Sequence, residues 1–118
     1  HVIALRTLEG IQRDAIWQNG QVKAHHAAAS EALRLYLEHR FDFPALERST
    51  AEIKRGINQL PLRTDEIETL IEVLTLADLV KFAKLTPETA DHQRIVSRSI
   101  RFVENTIPSK EAKETEAA

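Results

Sequence analysis

Apolar residues recur three and four positions apart along almost the whole chain, in short runs punctuated by Gly, Pro and capping residues. This punctuation predicts an all-α fold built from short amphipathic helices. The first run places Ala4, Leu5, Leu8, Ile11 and Ala15 on one side, with Arg6, Glu9 and Arg13 elsewhere. Asn19-Gly20 accepts the left-handed conformation that closes helices, so this helix should stop there and a second should fold back antiparallel to it. The second, about Gln21 to Arg40, shows one stripe of Val22, His26, Ala29, Leu33, Tyr36 and Leu37 and another of Ala28, Ala32 and Leu35. Two stripes require two neighbours, which predicts a central position, with Ala27 to Ala29 permitting close approach.

Pro44 pushes Phe43 out of helical geometry, so Phe41 to Leu46 reads as an irregular link whose two aromatic rings plug the core. Ser49-Thr-Ala-Glu52 matches a capping box and opens a short helix with Ile53, Ile57 and Leu60 inward, ended by Pro61. Thr64 should cap the next helix, whose first turn holds Asp65 and Glu66 and whose stripe is Ile67, Leu70, Ile71 and Leu74. Continued straight, that stripe would present Asp78, Lys81 and Leu85 to the core. A second cap at Thr75 to Asp78, turning Leu76, Leu79, Val80 and Ala83 inward instead, is the favoured reading, with the straight helix as the alternative. Thr86-Pro87-Glu88 should start the last helix, Thr86 as cap, with Val96, Ile100, Val103 and Ile107 as its stripe and Pro108 as its end. The result is a compact bundle of about five to six helices with orthogonal or irregular packing, a single domain over residues 1–108 and a frayed or disordered tail over 109–118.

Composition narrows the function classes. For 118 residues, 42% hydrophobic and 29% charged, the content supports one core. Surface scaling lets such a chain bury about two-thirds of its unfolded surface. With 16 basic against 18 acidic residues, the net charge of -2 gives no global attraction to nucleic acid or an anionic membrane. Zero cysteines exclude disulfides, thiolate nucleophiles and Cys-ligated metals. No apolar run approaches the roughly 18 to 20 residues that cross a bilayer. The chain opens at His1, directly in helical pattern, and so reads as a segment of something longer.

Candidate chemistry is sparse. Among His1, His25, His26, His39 and His92, no two lie at i, i+4. Adjacent helical residues point about 100° apart, so His25 and His26 should not share one metal ion. All five read as structural or exposed. Asp65, Glu66, Glu68 and Glu72 lack the ligand alternation and central Gly of a calcium loop and read as a solvated face. Ser30, Ser49, Ser97 and Ser99 occupy no nucleophile elbow, and the scattered Gly10, Gly20 and Gly56 build no phosphate loop. No catalytic residue, cofactor site or metal site is assigned. Trp17 reads as a core edge rather than an interface anchor. Arg94, Arg98 and Arg101 share one helical face and could meet a partner's acidic groups or, as the alternative function, phosphates of a nucleic acid.

Several segments together carry a family likeness: His1-Val-Ile-Ala-Leu5, Leu33-Arg-Leu-Tyr-Leu-Glu-His-Arg-Phe41 leading into Pro44-Ala-Leu46, Ser49-Thr-Ala-Glu-Ile53 and, most specifically, Leu76-Ala-Asp-Leu-Val-Lys-Phe-Ala-Lys84. In these the chain resembles the cytoplasmic C-terminal domain of small bacterial membrane proteins encoded beside the MoxR ATPase and the Bat aerotolerance proteins. Leu46-Glu-Arg48 departs from the Met-containing form of that family. The resemblance implies a membrane helix upstream, a location on the cytoplasmic face of the inner membrane, and no catalytic residues. The implied function is a non-catalytic interaction domain that docks a protein partner, a MoxR-type ATPase or a Bat protein. Lys81, Lys84, Arg94, Arg98 and Arg101 are its candidate contacts, and no nucleic acid is expected.

Overall fold

The computed structural model describes residues 1–82 and 86–107. Lys84, Pro108 and the tail over 109–118 lie outside the described residues, as does the domain end drawn at 108. The described residues form α1 (Val2–Asp14), α2 (Val22–Phe41), α3 (Thr50–Gly56), α4 (Thr64–Lys81) and α5 (Thr89–Asn105), and contain no strand. Three short 3₁₀ turns, Ile16–Asn19, Ala45–Glu47 and Ile57–Gln59, connect them. This is an all-α bundle. None of its described helices is long and apolar enough to cross a membrane.

α2 is the hub, packing against α1, α4, α5 and the first two 3₁₀ turns. The reason is its double stripe. Ala29, Ala32, Leu33, Tyr36 and Leu37 are buried, while Ala28 and Leu35 of the second stripe are half-buried against α1. Leu8, Leu33, Leu37, Ile53, Ile57, Leu70, Leu74 and Ile95 are essentially solvent-free and form the centre of the core. A fully buried Leu or Ile is stabilised by roughly 1.5–3 kcal/mol relative to exposure, so these side chains dominate the cohesion.

Four local expectations need correction. α1 stops at Asp14, five residues before Asn19, because Ala15 takes the left-handed conformation (φ 42°) and its N–H closes the helix on the Ile11 carbonyl. Gly20 does turn left-handed (φ 82°), but it ends the 3₁₀ turn instead. At α4 the cap is Arg63, not Thr64, and the Glu66 carboxylate reaches back to accept the Arg63 N–H at 2.8 Å. α5 begins at Thr89 after the cap residue Glu88, whose N–H donates to Asp91 Oδ2 at 3.0 Å, so Thr86 does not cap it. In both helices a carboxylate at the third position outcompetes a hydroxyl at the presumed start, as the positive helix terminus favours.

The fourth correction concerns the favoured break at Thr75 to Asp78. α4 is continuous through it. Its buried face is Glu66, Leu70, Val73, Leu74, Ala77 and Val80, a row centred further round the axis than the Ile67–Ile71 stripe. On that row a straight helix buries no charge at Asp78 or Lys81: Asp78 is half-buried and Lys81 is exposed. Ile67 and Ile71 are only half-buried. The capping box at Ser49 forms as read, with Ser49 N–H to Glu52 Oε1 at 2.9 Å and Glu52 N–H to Ser49 Oγ at 3.2 Å. Phe43 is buried as the plug, whereas Phe41 is half-buried beneath the Arg40 guanidinium.

Candidate functional site

The middle of α2, the link after Pro44, the start of α3 and the end of α4 border one groove, while His1, Ile3 and Ala4 line a different cleft with Ala28 and Leu35. At the base of the groove lies Arg34 of α2, whose guanidinium donates to Ser30 Oγ at 3.3 Å, the Ala45 carbonyl at 3.1 Å and Thr50 Oγ1 at 3.1 Å, and also to the Arg48 carbonyl. One planar fork thus fastens the link after Pro44 and the start of α3 onto the central helix. Glu38 adds a second fastening by accepting the Leu46 N–H at 2.7 Å. Held this way, the link cannot cover the end of α4. A groove of about 500 Å³ remains between them, with Arg48, Ala77, Asp78 and Lys81 in its lining and Leu46 and Phe82 beside them. Phe82 is 62% exposed and Leu46 44%. Lys81 Nζ stands 5.6 Å from the Phe82 ring centroid, placing a cation on the same rim.

The arginine row lies elsewhere. Arg94 and Arg98 project from α5 toward α4, where Glu72 accepts both, at 3.3 Å and 2.7 Å, and Asp91 takes Arg94 at 3.0 Å. Arg98 and Arg101 line a cleft with Asp65, Glu66, Glu68 and Glu72, and this cleft shares no residue with the Lys81 groove. The structure therefore brings Lys81 and the arginines to two separate surfaces. The arginine charge is largely answered by carboxylates of the same molecule.

The site that sequence reasoning missed is internal. His25 and His26 of α2 and His92 of α5 are all buried, with ring centroids 5.1–5.9 Å apart, and Trp17 lies over His92 at 5.0 Å. The early end of α1 makes this contact, because the 3₁₀ turn that follows swings Trp17 inward. His25 Nε2 donates to the His92 carbonyl at 2.8 Å. Since a carbonyl only accepts, His25 carries its proton on Nε2, and its buried Nδ1 lone pair has no partner. His26 Nε2 and His92 Nδ1 face each other at 2.8 Å, one donating and one accepting. In either assignment His26 Nδ1 is also buried without a partner.

Burial depresses the basicity of all three rings. His26 is pushed down to about 4, first by desolvation and then by the charges of His25 and His92, with Asp91 opposing. His25 is lowered by desolvation, partly offset by its bond to the His92 carbonyl. Desolvation and His25 lower His92 against the pull of Asp91. Each ring commits one nitrogen, His26 and His92 to one another and His25 to a carbonyl. No cluster of the described residues could hold a metal ion. The only sequence signal for this site was two adjacent histidines on the buried side of α2. Nothing local pointed to His92.

Comparison of the chain with protein-family models, with curated proteins and with solved structures finds no match.

Proposed function

We propose that this chain is a non-catalytic helical interaction domain that docks a protein partner through the groove flanked by Leu46 and Phe82. The observation that carries this reading is that pair of large apolar side chains left in solvent over a depression whose base is rigidly pinned by Arg34. An exposed aromatic and an exposed leucine beside a preformed pocket are what a partner's apolar anchor needs, and a neighbouring Lys81 selects an anchor flanked by a carboxylate. The likeness to the MoxR- and Bat-associated membrane proteins supplies the partner class, a MoxR-type ATPase or a Bat protein. It also supplies the place, the cytoplasmic face of a bacterial inner membrane, with a membrane helix upstream and aerotolerance as the context. Arg94, Arg98 and Arg101 form a secondary contact in this reading, since a partner's acid must first displace Glu72 from two of them.

The test is an NMR titration of the isotope-labelled domain with a purified MoxR-type ATPase and, separately, a purified Bat protein. Shifts confined to Leu46, Arg48, Ala77, Lys81 and Phe82, and lost in Phe82→Ala, support the proposal. Binding that leaves these resonances unmoved, or no binding to either protein at concentrations of about 100 μM, where weak transient complexes register, rejects it.

A further inference from the structure

The histidine cluster plays no part in that docking surface and is poorly explained as core. A packed Leu or Phe would fill the space without stranding two buried nitrogens, each of which costs on the order of 1–3 kcal/mol. We propose that His25, His26 and His92 form an acid-released latch that holds the N-terminal half of α5 and the Trp17 turn onto α2 while the rings are neutral.

The geometry supplies the release. At 2.8 Å between His26 Nε2 and His92 Nδ1 there is room for one proton only, so this contact between α2 and α5 exists only while at least one of the two rings is uncharged. When both are imidazolium, two N–H groups point at each other and the contact must part. Protonation at the unpartnered nitrogens is no easier. A proton added at His25 Nδ1 creates a buried N–H with no acceptor and a cation whose ring centroid is 5.3 Å from that of His26. Desolvation and mutual repulsion then act in the same direction.

The charged surroundings do not rescue the cations. On α5 the carboxylate acting on the cluster is Asp91, which is already committed to the Arg94 guanidinium at 3.0 Å and to the Glu88 N–H. The turn after α1 contributes the uncharged Trp17. The adjoining cleft takes Gln12 from α1 and Ala15 just past its end, which do not titrate, and from α5 it takes Gln93, Val96 and Ser97. This cleft of about 230 Å³ reaches both His25 and His92 and gives protons a short route to the cluster.

The far end of α5 is fastened differently. Tyr36 Oη meets Thr106 Oγ1 at 2.7 Å, Arg40 Nε donates to the Thr106 carbonyl at 2.8 Å, and Phe102 and Val103 are buried beside them. None of those contacts needs a neutral imidazole. Acid should therefore open one end of α5 and leave the other docked.

Two measurements on the intact chain test this. Trp17 is the sole tryptophan, so its emission reports on the His92 face directly, and amide protection factors resolve the two halves of α5. Between pH 7 and pH 4.5 the opening equilibrium read at the amides of His92 to Val96 should rise on the order of fiftyfold from His26 alone. Protection of Phe102 to Asn105 should hold, and the Trp17 change should share the midpoint. In His26→Leu, which removes one ring of the pair, the acid-induced opening should shrink by about tenfold or more. Should that variant fail to fold, ring-proton titration of the native chain decides instead, with all three imidazoles expected to titrate together with the opening. Equal loss of protection in both halves of α5, no loss down to pH 4.5, or histidines titrating with no change at Trp17 would each overturn the latch.

Discussion

Two polar sites on the same central helix, one half-buried around Arg34 and one buried around His25 and His26, are built on opposite terms. Around Arg34 a permanently charged group is surrounded by acceptors and stitches three segments together. Around His25 and His26, roughly two turns of helix away toward the N-terminus, the rings find too few partners and two nitrogens go unpaired. A guanidinium held by these acceptors keeps its role at every accessible pH, because it does not lose its proton. An undersatisfied imidazole keeps its role only while neutral. The contrast separates a polar group used as a fastener from one whose cohesion depends on conditions.

The largest expected effect breaks the fastener. Arg34→Ala strands the Ala45 and Arg48 carbonyls and frees the link that carries Leu46, which should cost about 3 kcal/mol in denaturant unfolding, by the same amount at pH 7 and at pH 5. Arg34→Lys should recover only part of this, since an ammonium cannot reproduce the fork. A loss that varied strongly with pH would erase the distinction between the two sites.

The second effect concerns the slope of stability with pH. The folded-state basicity of His26 lies near 4, below the ordinary value of 6.5, so the unfolded chain binds more protons between those values. Stability is then complete above about pH 6.5 and falls as pH drops toward 4, by about 2–3 kcal/mol from this ring. His26→Leu should flatten that limb while changing stability at pH 7 by about 1 kcal/mol or less. An unchanged acid limb in the variant would assign the pH dependence to other groups.

The smallest effect sharpens the picture of α5. Tyr36→Phe deletes the hydroxyl at the Thr106 end, where Thr106 Oγ1 still has the Phe102 carbonyl at 2.9 Å. It should cost about 1 kcal/mol without altering the pH slope. If the two ends of α5 are independent, combining it with His26→Leu should be additive to within about 0.5 kcal/mol.

Much of the fold was legible because helix periodicity, Ser49 capping and the α2 double stripe are local or nearly local signals. The errors share one cause. At α1, α4 and α5 the pattern identified a helix correctly but misplaced its end, its cap or its inward direction, and at α4 it inserted a break the helix does not have. Ile67 and Ile71 are as apolar as Leu70 and Val73, and only the position of α2 and α5 selects between the two rows. The groove at Leu46 and Phe82 was not legible in the sequence, because it depends on how Arg34 holds the link after Pro44 beside the end of α4. The histidine cluster was not foreshadowed, because its members lie 66 and 67 residues apart.

By itself, the order of residues determined that this protein is helical, where most of its segments lie and which of them sits at the centre, since those properties follow from rotation about single helix axes. The tertiary structure alone decided that Glu72 would answer Arg94 and Arg98, that α4 would run unbroken, and that His92 would complete a ring of neutral imidazoles. Such pairings depend on where separate axes come to rest against one another, and no spacing along a single axis contains that information.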